Sequence, residues 1–375
     1  MKICILSMQH VPNFGSLLQC YGLKQMVEAL GHSVSFLDIA PNESDNRLMN
    51  HAVIQFHNEG EAWGSFFSKL KKLDRYTFAR IHQKLLWKAQ ERKFEAFRRQ
   101  HLPAAGTGEQ FDCCIIGSDE VFNCMNGSPW GFTSQLFGNV PQAAKVITYA
   151  ASCGSTAAEA LPLSAAERIR EALGSVSALS VRDENTNRFV SQLTGRDVLE
   201  HMDPVLVADF EHESASVQLP EDLPGRYCIV YSYYNRICDQ QSIRQIRKFC
   251  KTHGMHLLTV GAPQKWIPDH RVMMPFEMLK LFQNASFIIT DTFHGTIFSA
   301  KYAEKFAVMI RSSNCNKLGD LVTRLALEPH VVKSFDSLEA AYSVSNDPER
   351  IEALTEQARS HAFAYLRENL AGDCI

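Results

Sequence analysis

A histidine stands between a phenylalanine and a glycine at Phe293-His294-Gly295, after the apolar run Phe287-Ile288-Ile289 and the polar Thr290-Asp291-Thr292. The apolar run reads as a buried strand, and the residues after it as the opening of a helix. In open α/β sheets, ligands bind outside the carboxyl ends of the strands. A helix opening there leaves backbone N–H groups free and presents a positive dipole end, which suits phosphate or carboxylate. His294 is thus a candidate acid or base beside a bound anion. Gly295 is a point where a ligand can approach the backbone, and Thr296 belongs to the same turn. The competing reading is a histidine that caps its own loop.

The same kind of place recurs four times. Asn13-Phe14-Gly15-Ser16 follows the first apolar strand and opens a helix, which makes Asn13, Gly15 and Ser16 candidates for one wall of a binding site. Gly117-Ser118-Asp119 follows Cys113-Cys114-Ile115-Ile116 and adds Ser118 and Asp119. Ala151-Ser152-Cys153-Gly154 adds Ser152, and Arg182-Asp183 adds a guanidinium. One such turn is weak evidence, because turns are built from these residues anyway. Five at strand ends point to an anion-binding cleft. Arg182 offers a planar fork for carboxylate or phosphate, and Asp119 is a candidate base for a hydroxyl. Against these stand a surface ion pair of Arg182 with Asp183 or Glu184, a capping role for Asp119 and turn chemistry for Asn13. Asp203-Pro204 reads as a turn out of the first domain.

The elements that would carry these residues alternate strand and helix. A chain of 375 residues is too long for one ordinary core. Strand and helix alternate on both sides of a polar, proline-containing stretch near Ser214, which predicts two parallel-sheet domains. The expected boundaries are 1–210, with a helical insertion at about 44–105; 226–345; and a C-terminal helix over 346–375. The insertion is basic from Lys69 to Arg99. It is read either as a solvated face or as a surface docking on anionic lipid headgroups or a diphosphate-linked acceptor, a peripheral membrane contact.

Hydrophobic content of 45% and charged content of 21% are those of a soluble globular chain. A net charge of -3 argues against a dedicated nucleic-acid binder. The 11 cysteines show no C-x-x-C spacing and several lie in apolar runs, which predicts buried thiols, no metal site and a cytoplasmic protein. No apolar run approaches the roughly 18 residues of a membrane span.

Together these stretches resemble the polysaccharide pyruvyl transferase family. The resemblance rests on NFGSLLQCYGLKQMVEALGHSVSFLD, KFEAFRRQHL, DCCIIGSDEVFN, ITYAASCG, LSVRDENT, MDPVL and FIITDTFHGTIFSAKY. It implies a GT-B-like α/β fold, two Rossmann-like parallel-sheet domains facing a cleft. It implies transfer of pyruvate from phosphoenolpyruvate to two hydroxyls of a sugar, with phosphoenolpyruvate as donor substrate and no other cofactor. The acceptor would be a cell-surface polysaccharide or its precursor, free or lipid-linked, handled at the inner face of the membrane. His294 would be catalytic and Arg182 would hold the donor. Phe122 and Cys153-Gly154 depart from the family pattern, departures that would alter the acceptor pocket. Two rivals remain: a nucleotide-sugar glycosyltransferase of the same fold, with Trp266 stacking on a base, and a non-catalytic carbohydrate-binding protein.

Overall fold

The structure, a computed structural model, describes residues 1–49, 76–125, 128–234 and 236–371, and the side chains of all of these except 76–82 and 313. Residues 69 to 75 of the basic segment therefore lie outside the described residues.

The first domain is one parallel sheet of β1 (Lys2–Leu6), β2 (Ser33–Leu37), β3 (Phe111–Asp119), β4 (Ala143–Ala151), β5 (Ser180–Val181) and β6 (Leu199–Glu200), in the order β2-β1-β3-β4-β5-β6. The second is a parallel sheet of β7 (Tyr227–Tyr231), β8 (His256–Val260), β9 (Asp269–Arg271), β10 (Phe287–Thr290) and β11 (Phe306–Val308), in the order β11-β10-β7-β8-β9. The main helices are α1 (Phe14–Ala29), α2 (Tyr76–His101), α3 (Leu163–Gly174), α4 (Glu184–Thr194), α5 (Pro204–Val207), α6 (Gln240–Thr252), α7 (Pro275–Gln283), α8 (Phe293–Tyr302), α9 (Cys315–Arg324) and α10 (Pro348–Asn369). Every residue of β7 and β10 is buried. That is why these strands read as unbroken apolar runs: helices cover both faces of a parallel sheet.

Both strand orders reverse direction once. In the first sheet the reversal lies between β1 and β3, and in the second between β7 and β10. Such switch points open a crevice at the carboxyl ends of the strands. The β1–α1 turn and the end of β3 flank the first crevice, and the β10–α8 turn flanks the second.

α1 starts at Asn13, whose backbone is extended and whose Oδ1 accepts the Ser16 N–H at 2.7 Å. Leu17, Leu23, Met26 and Val27 are buried as their spacing predicts, while Tyr21 and Leu30 are half-buried. Some expectations fail at the edges. The strand expected around Ala178–Asp183 shrinks to two residues, and Asp203-Pro204 opens the short α5 instead of leading out of a strand. β9 was not expected; its Asp269, His270 and Arg271 carry no apolar signature.

The second domain does not stand apart from the first. Phe14 packs edge-on against Phe94 at 4.9 Å and tilts toward Tyr231 at 6.4 Å. Phe276 of α7 meets Tyr21 at 5.2 Å and Phe97 at 5.3 Å. One apolar cluster thus runs from the first sheet into the second. α10 crosses back to the first domain, where Tyr365 Oη donates to the Thr148 carbonyl at 2.8 Å. Ten cysteines are free thiols, eight of them buried, and no disulfide forms among the described residues. No helix of the described residues is long and apolar enough to cross a membrane.

Candidate active site

α8 opens at Thr292, whose Oγ1 accepts the Gly295 N–H at 3.0 Å. His294 lies in that first turn and reaches across to the first turn of α1. A Cβ on Gly15 would come within 2.2 Å of His294 Cγ and Nδ1. Two helix N-termini from two domains therefore converge on one imidazole, and only a glycine leaves it room. On its other side, His294 Nε2 faces Asp203 Oδ2 at 3.5 Å. This is ion-pair distance without hydrogen-bond alignment, and the buried Nε2 has no hydrogen bond among the described residues.

Asp203 is the hub. Its Oδ2 accepts from Arg182 Nη1 at 2.7 Å and from Ser118 Oγ at 3.3 Å, and its Oδ1 accepts the Val205 N–H at 2.9 Å. Burial opposes its charge, but His294, Arg182 and the Val205 N–H together hold the carboxyl well below the usual range. Asp203 also caps α5, with Pro204 at the first helical position. The reading of Asp203-Pro204 as a plain turn misses this buried carboxylate.

Arg182 is not the surface ion pair that its neighbours suggest. Its side chain is 2% exposed, Nη1 lies 3.7 Å from Asp119 Oδ1, and the guanidinium sits 4.2 Å over the Phe293 ring of the second domain. Glu184 pairs instead with Arg188. Burial works against the Arg182 cation, and Asp203, Asp119 and Asp183 more than offset it, raising its pKa. Only Nη1 of the Arg182 fork meets Asp203 and Asp119; its buried Nε has no hydrogen bond among the described residues. The guanidinium orients those carboxylates and braces the two domains.

Asp119 does not cap a helix. Its backbone is left-handed at φ 72°, its carbonyl accepts from Ser152 N and Val121 N at 2.9 Å each, and its Oδ2 accepts from Ser16 Oγ at 2.7 Å. Asn13, Gly15, Ser16, Asp119 and His294 are thus brought together. Four other candidates support the site from within. Ser118 Oγ donates to the Ala150 carbonyl at 2.9 Å, Ser152 Oγ to Asp183 Oδ2 at 2.7 Å, and Thr296 Oγ1 to the Thr292 carbonyl at 2.9 Å. A Cβ on Gly295 would strike Thr290 Oγ1 at 2.2 Å, so protein rather than ligand fills that space.

Sequence reasoning missed two charged groups. Glu120, next to Asp119, hydrogen-bonds Lys317 of α9 across the junction and accepts from Asn123 Nδ2 at 2.7 Å. Burial opposes the Glu120 charge, yet Lys317 and Asn123 bring its carboxyl down to about 2. Nothing in the sequence marked Lys317. The first rim carries Asp119, Glu120, Asp183 and Asp203 around Arg182, and the second carries Arg236, Arg311 and Lys317, with Asp291 paired to Arg311.

Residues 13–312 match the family model described as Polysaccharide pyruvyl transferase. The chain belongs to the polysaccharide pyruvyl transferase family. It is a transferase of that family, built as two parallel-sheet α/β domains of the GT-B type. A search of curated proteins finds no match. Among solved structures, trehalose-6-phosphate from E. coli bound with UDP-2-fluoro glucose is similar at a TM-score of 0.50 and 10% identity, over 98% of this chain and 97% of that one. UDP-GlcNAc 2-epimerase from Neisseria meningitidis bound to UDP-GlcNAc follows at 0.46 and 9%, over 99% of each chain. UDP-GlcNAc 2-epimerase from Methanocaldococcus jannaschii gives 0.45 and 10%, over 95% and 99%. At such identities the likeness concerns fold.

Of the two departures from the family pattern, Phe122 and Cys153 are buried, and a Cβ on Gly154 would come within 2.8 Å of Glu120 Oε2. Phe122 is buried in a stack on Phe137 at 4.9 Å. Cys153 is buried too, and burial pushes its thiol up to about 12, so it is no nucleophile. Trp266 is engaged: its Nε1 donates to the Ile237 carbonyl at 2.8 Å and Arg247 lies 5.8 Å over its ring. No cluster of potential metal ligands occurs among the described residues. In the described part of the basic segment, Arg98 pairs with Glu95 and Lys93 with Glu277. Lys88 and Arg92 line a groove of about 420 Å³ beside His10 and Pro12.

Proposed function

We propose that this protein transfers pyruvate from phosphoenolpyruvate to two hydroxyls of a polysaccharide sugar or its precursor, closing a cyclic ketal. The observation that carries the reading is His294, wedged between the N-termini of α1 and α8 with the ionised Asp203 behind it.

The chemistry asks for three things. A proton must reach the methylene carbon of phosphoenolpyruvate. C2, then electron-poor, takes one acceptor hydroxyl, whose proton passes to a base. A second hydroxyl then replaces phosphate at C2: phosphate leaves with the C2–O bond electrons, and the hydroxyl's proton passes to the imidazole that gave up the first. His294 serves as the acid, since its imidazole can carry a proton and stands where the N-termini of α1 and α8 meet. Asp203, buried and ionised, places its charge 3.5 Å from His294 Nε2, an ion-pair partner for the imidazolium. Asp119, fixed by Ser16, is the base for the acceptor hydroxyl. The cations Arg236, Arg311 and Lys317 favour an anionic donor on the second rim, and Asp119 with Glu120 favours a hydroxyl-bearing acceptor on the first.

The test is direct: incubate the protein with phosphoenolpyruvate and a panel of sugar acceptors, and follow phosphate release and ketal formation. Both are expected together. In parallel, phosphoenolpyruvate should raise the melting temperature and UDP-sugars should not. Stabilisation by UDP-sugars alone would reject the reading.

A further inference from the structure

The two rims meet at Glu120 and Lys317, besides the His294–Asp203 and Arg324–Glu200 contacts. Glu120 follows β3 directly, and Lys317 stands in the first turn of α9. Their side chains are 22% and 16% exposed, so neither roams the surface and neither is sealed inside. The ends of both are anchored. Asn123 N donates to the Glu120 carbonyl at 3.1 Å, and Asn123 Nδ2 to its carboxylate at 2.7 Å. On the other rim, Arg311 Nε reaches Asp291 Oδ2 at 2.6 Å, and Asn314 Nδ2 reaches the Asp291 carbonyl at 2.8 Å. These bonds fasten the start of α9 to the carboxyl end of β10, beside the turn that holds His294. Lys317 lies past residue 312, where the family match ends, so that match assigns it nothing.

An ammonium held at a ligand-binding rim by one carboxylate of the opposite domain is open to exchange. A phosphate group offers the same cation more charge and three acceptor oxygens. We propose that Lys317 binds the phosphate of the anionic donor, and that Glu120 keeps its place until the donor arrives. The identity of the donor rests on the transfer reading above, but the chemistry recognised is phosphate. The exchange is anion for anion, because Lys317 and Asn123 keep Glu120 ionised against the cost of burial. Once displaced, Glu120 adds a free carboxylate next to Asp119 on the hydroxyl-binding rim. Donor therefore binds before acceptor.

The experiment is calorimetric titration of inorganic phosphate into the full chain at fixed pH and ionic strength. Loss of the cation in Lys317→Met should weaken phosphate binding about tenfold or more, the scale of one charge-assisted contact. Loss of the competing carboxylate in Glu120→Gln should tighten it by roughly threefold or more. Wild-type affinity in a folded Lys317→Met, or no tightening in Glu120→Gln, overturns the assignment and leaves a structural latch. If Lys317→Met does not fold, the Glu120→Gln arm decides alone. Two outcomes separate this inference from the transfer reading. Phosphate bound through Lys317 without ketal formation keeps the inference and refutes the reading. Ketal formation with phosphate affinity unmoved in Lys317→Met does the reverse.

Discussion

His294 and Asp203 do different work, and substitution should separate them. In His294→Gln the ring is lost, but the amide fills part of the same space. Turnover should fall by roughly 100-fold or more while thermal stability barely moves. Near-wild-type turnover with an unchanged pH profile would make His294 structural. Asp203→Asn should lower both turnover and stability, because the carboxylate faces His294 and also pairs with Arg182. The substitution leaves the buried Arg182 short of its main counter-charge, and breaking a buried pair costs about 3–5 kcal/mol. Urea unfolding measures that loss, and a cost near zero would mean Asp119 compensates alone. Glu120 gives a pH signature. Its carboxyl is lowered from 4.5 to about 2 in the folded chain. A depressed acid adds stability that is present above pH 4.5 and is lost as pH falls from 4.5 toward 2. The contribution is on the order of 1–3 kcal/mol for a pair this sheltered. Glu120→Gln should start less stable at neutral pH and show less acid loss across that window. Denaturant titrations at stepped pH give both values, and identical slopes in the two proteins would refute the pairing.

At the scale of elements, the site is an encounter between two helix N-termini, and Gly15 sets their distance. In Gly15→Ala, the added methyl meets the His294 ring at 2.2 Å, so the imidazole or α1 must shift. Overpacking of this kind costs about 1–3 kcal/mol. A displacement near 1 Å at a reacting group costs up to about 100-fold in rate. Turnover should therefore fall much more than stability, and a fully active Gly15→Ala would show that the ring is free to move. This geometry also explains what was legible in the sequence. β1, β7 and β10 are buried on both faces and announce themselves as apolar runs. The capped turns after them, at Asn13 and Thr292, carry the residue types that caps require. Asp203 was half legible: Asp before Pro signals a helix start, but not that the spare oxygen holds Arg182 and faces His294. Arg182 shows in the sequence as a charge, and neither the carboxylates at its Nη1 nor its buried, unpartnered Nε could be read there. Lys317 was illegible, since its partner lies 197 positions away in the chain.

The whole molecule decides how the rims can work. Domains joined by a modest polar interface move relative to each other by default; a large apolar interface suppresses that. Here the aromatic cluster of Phe14, Tyr21, Phe97, Tyr231 and Phe276 joins both sheets. Lys301 adds a polar clamp, donating from the second domain to the Val205, Leu206 and Ala208 carbonyls of the first at 3.1, 3.0 and 2.7 Å. α10 runs from the end of the chain back onto the first domain. Such a molecule should unfold as one unit despite its two sheets. Scanning calorimetry is expected to show one transition with equal calorimetric and van't Hoff enthalpies. Phe276→Ala removes a buried ring at the joint and should cost about 3–5 kcal/mol. If the domains are one cooperative unit, that loss lowers the single transition as a whole. Were they independent, the trace would split, and one component would stay where wild type has it. A single transition also bears on catalysis. With the bases of the two sheets welded together, ligands enter by rearranging side chains at the rim, and exchange at Glu120 and Lys317 is motion enough to admit an anion beside His294.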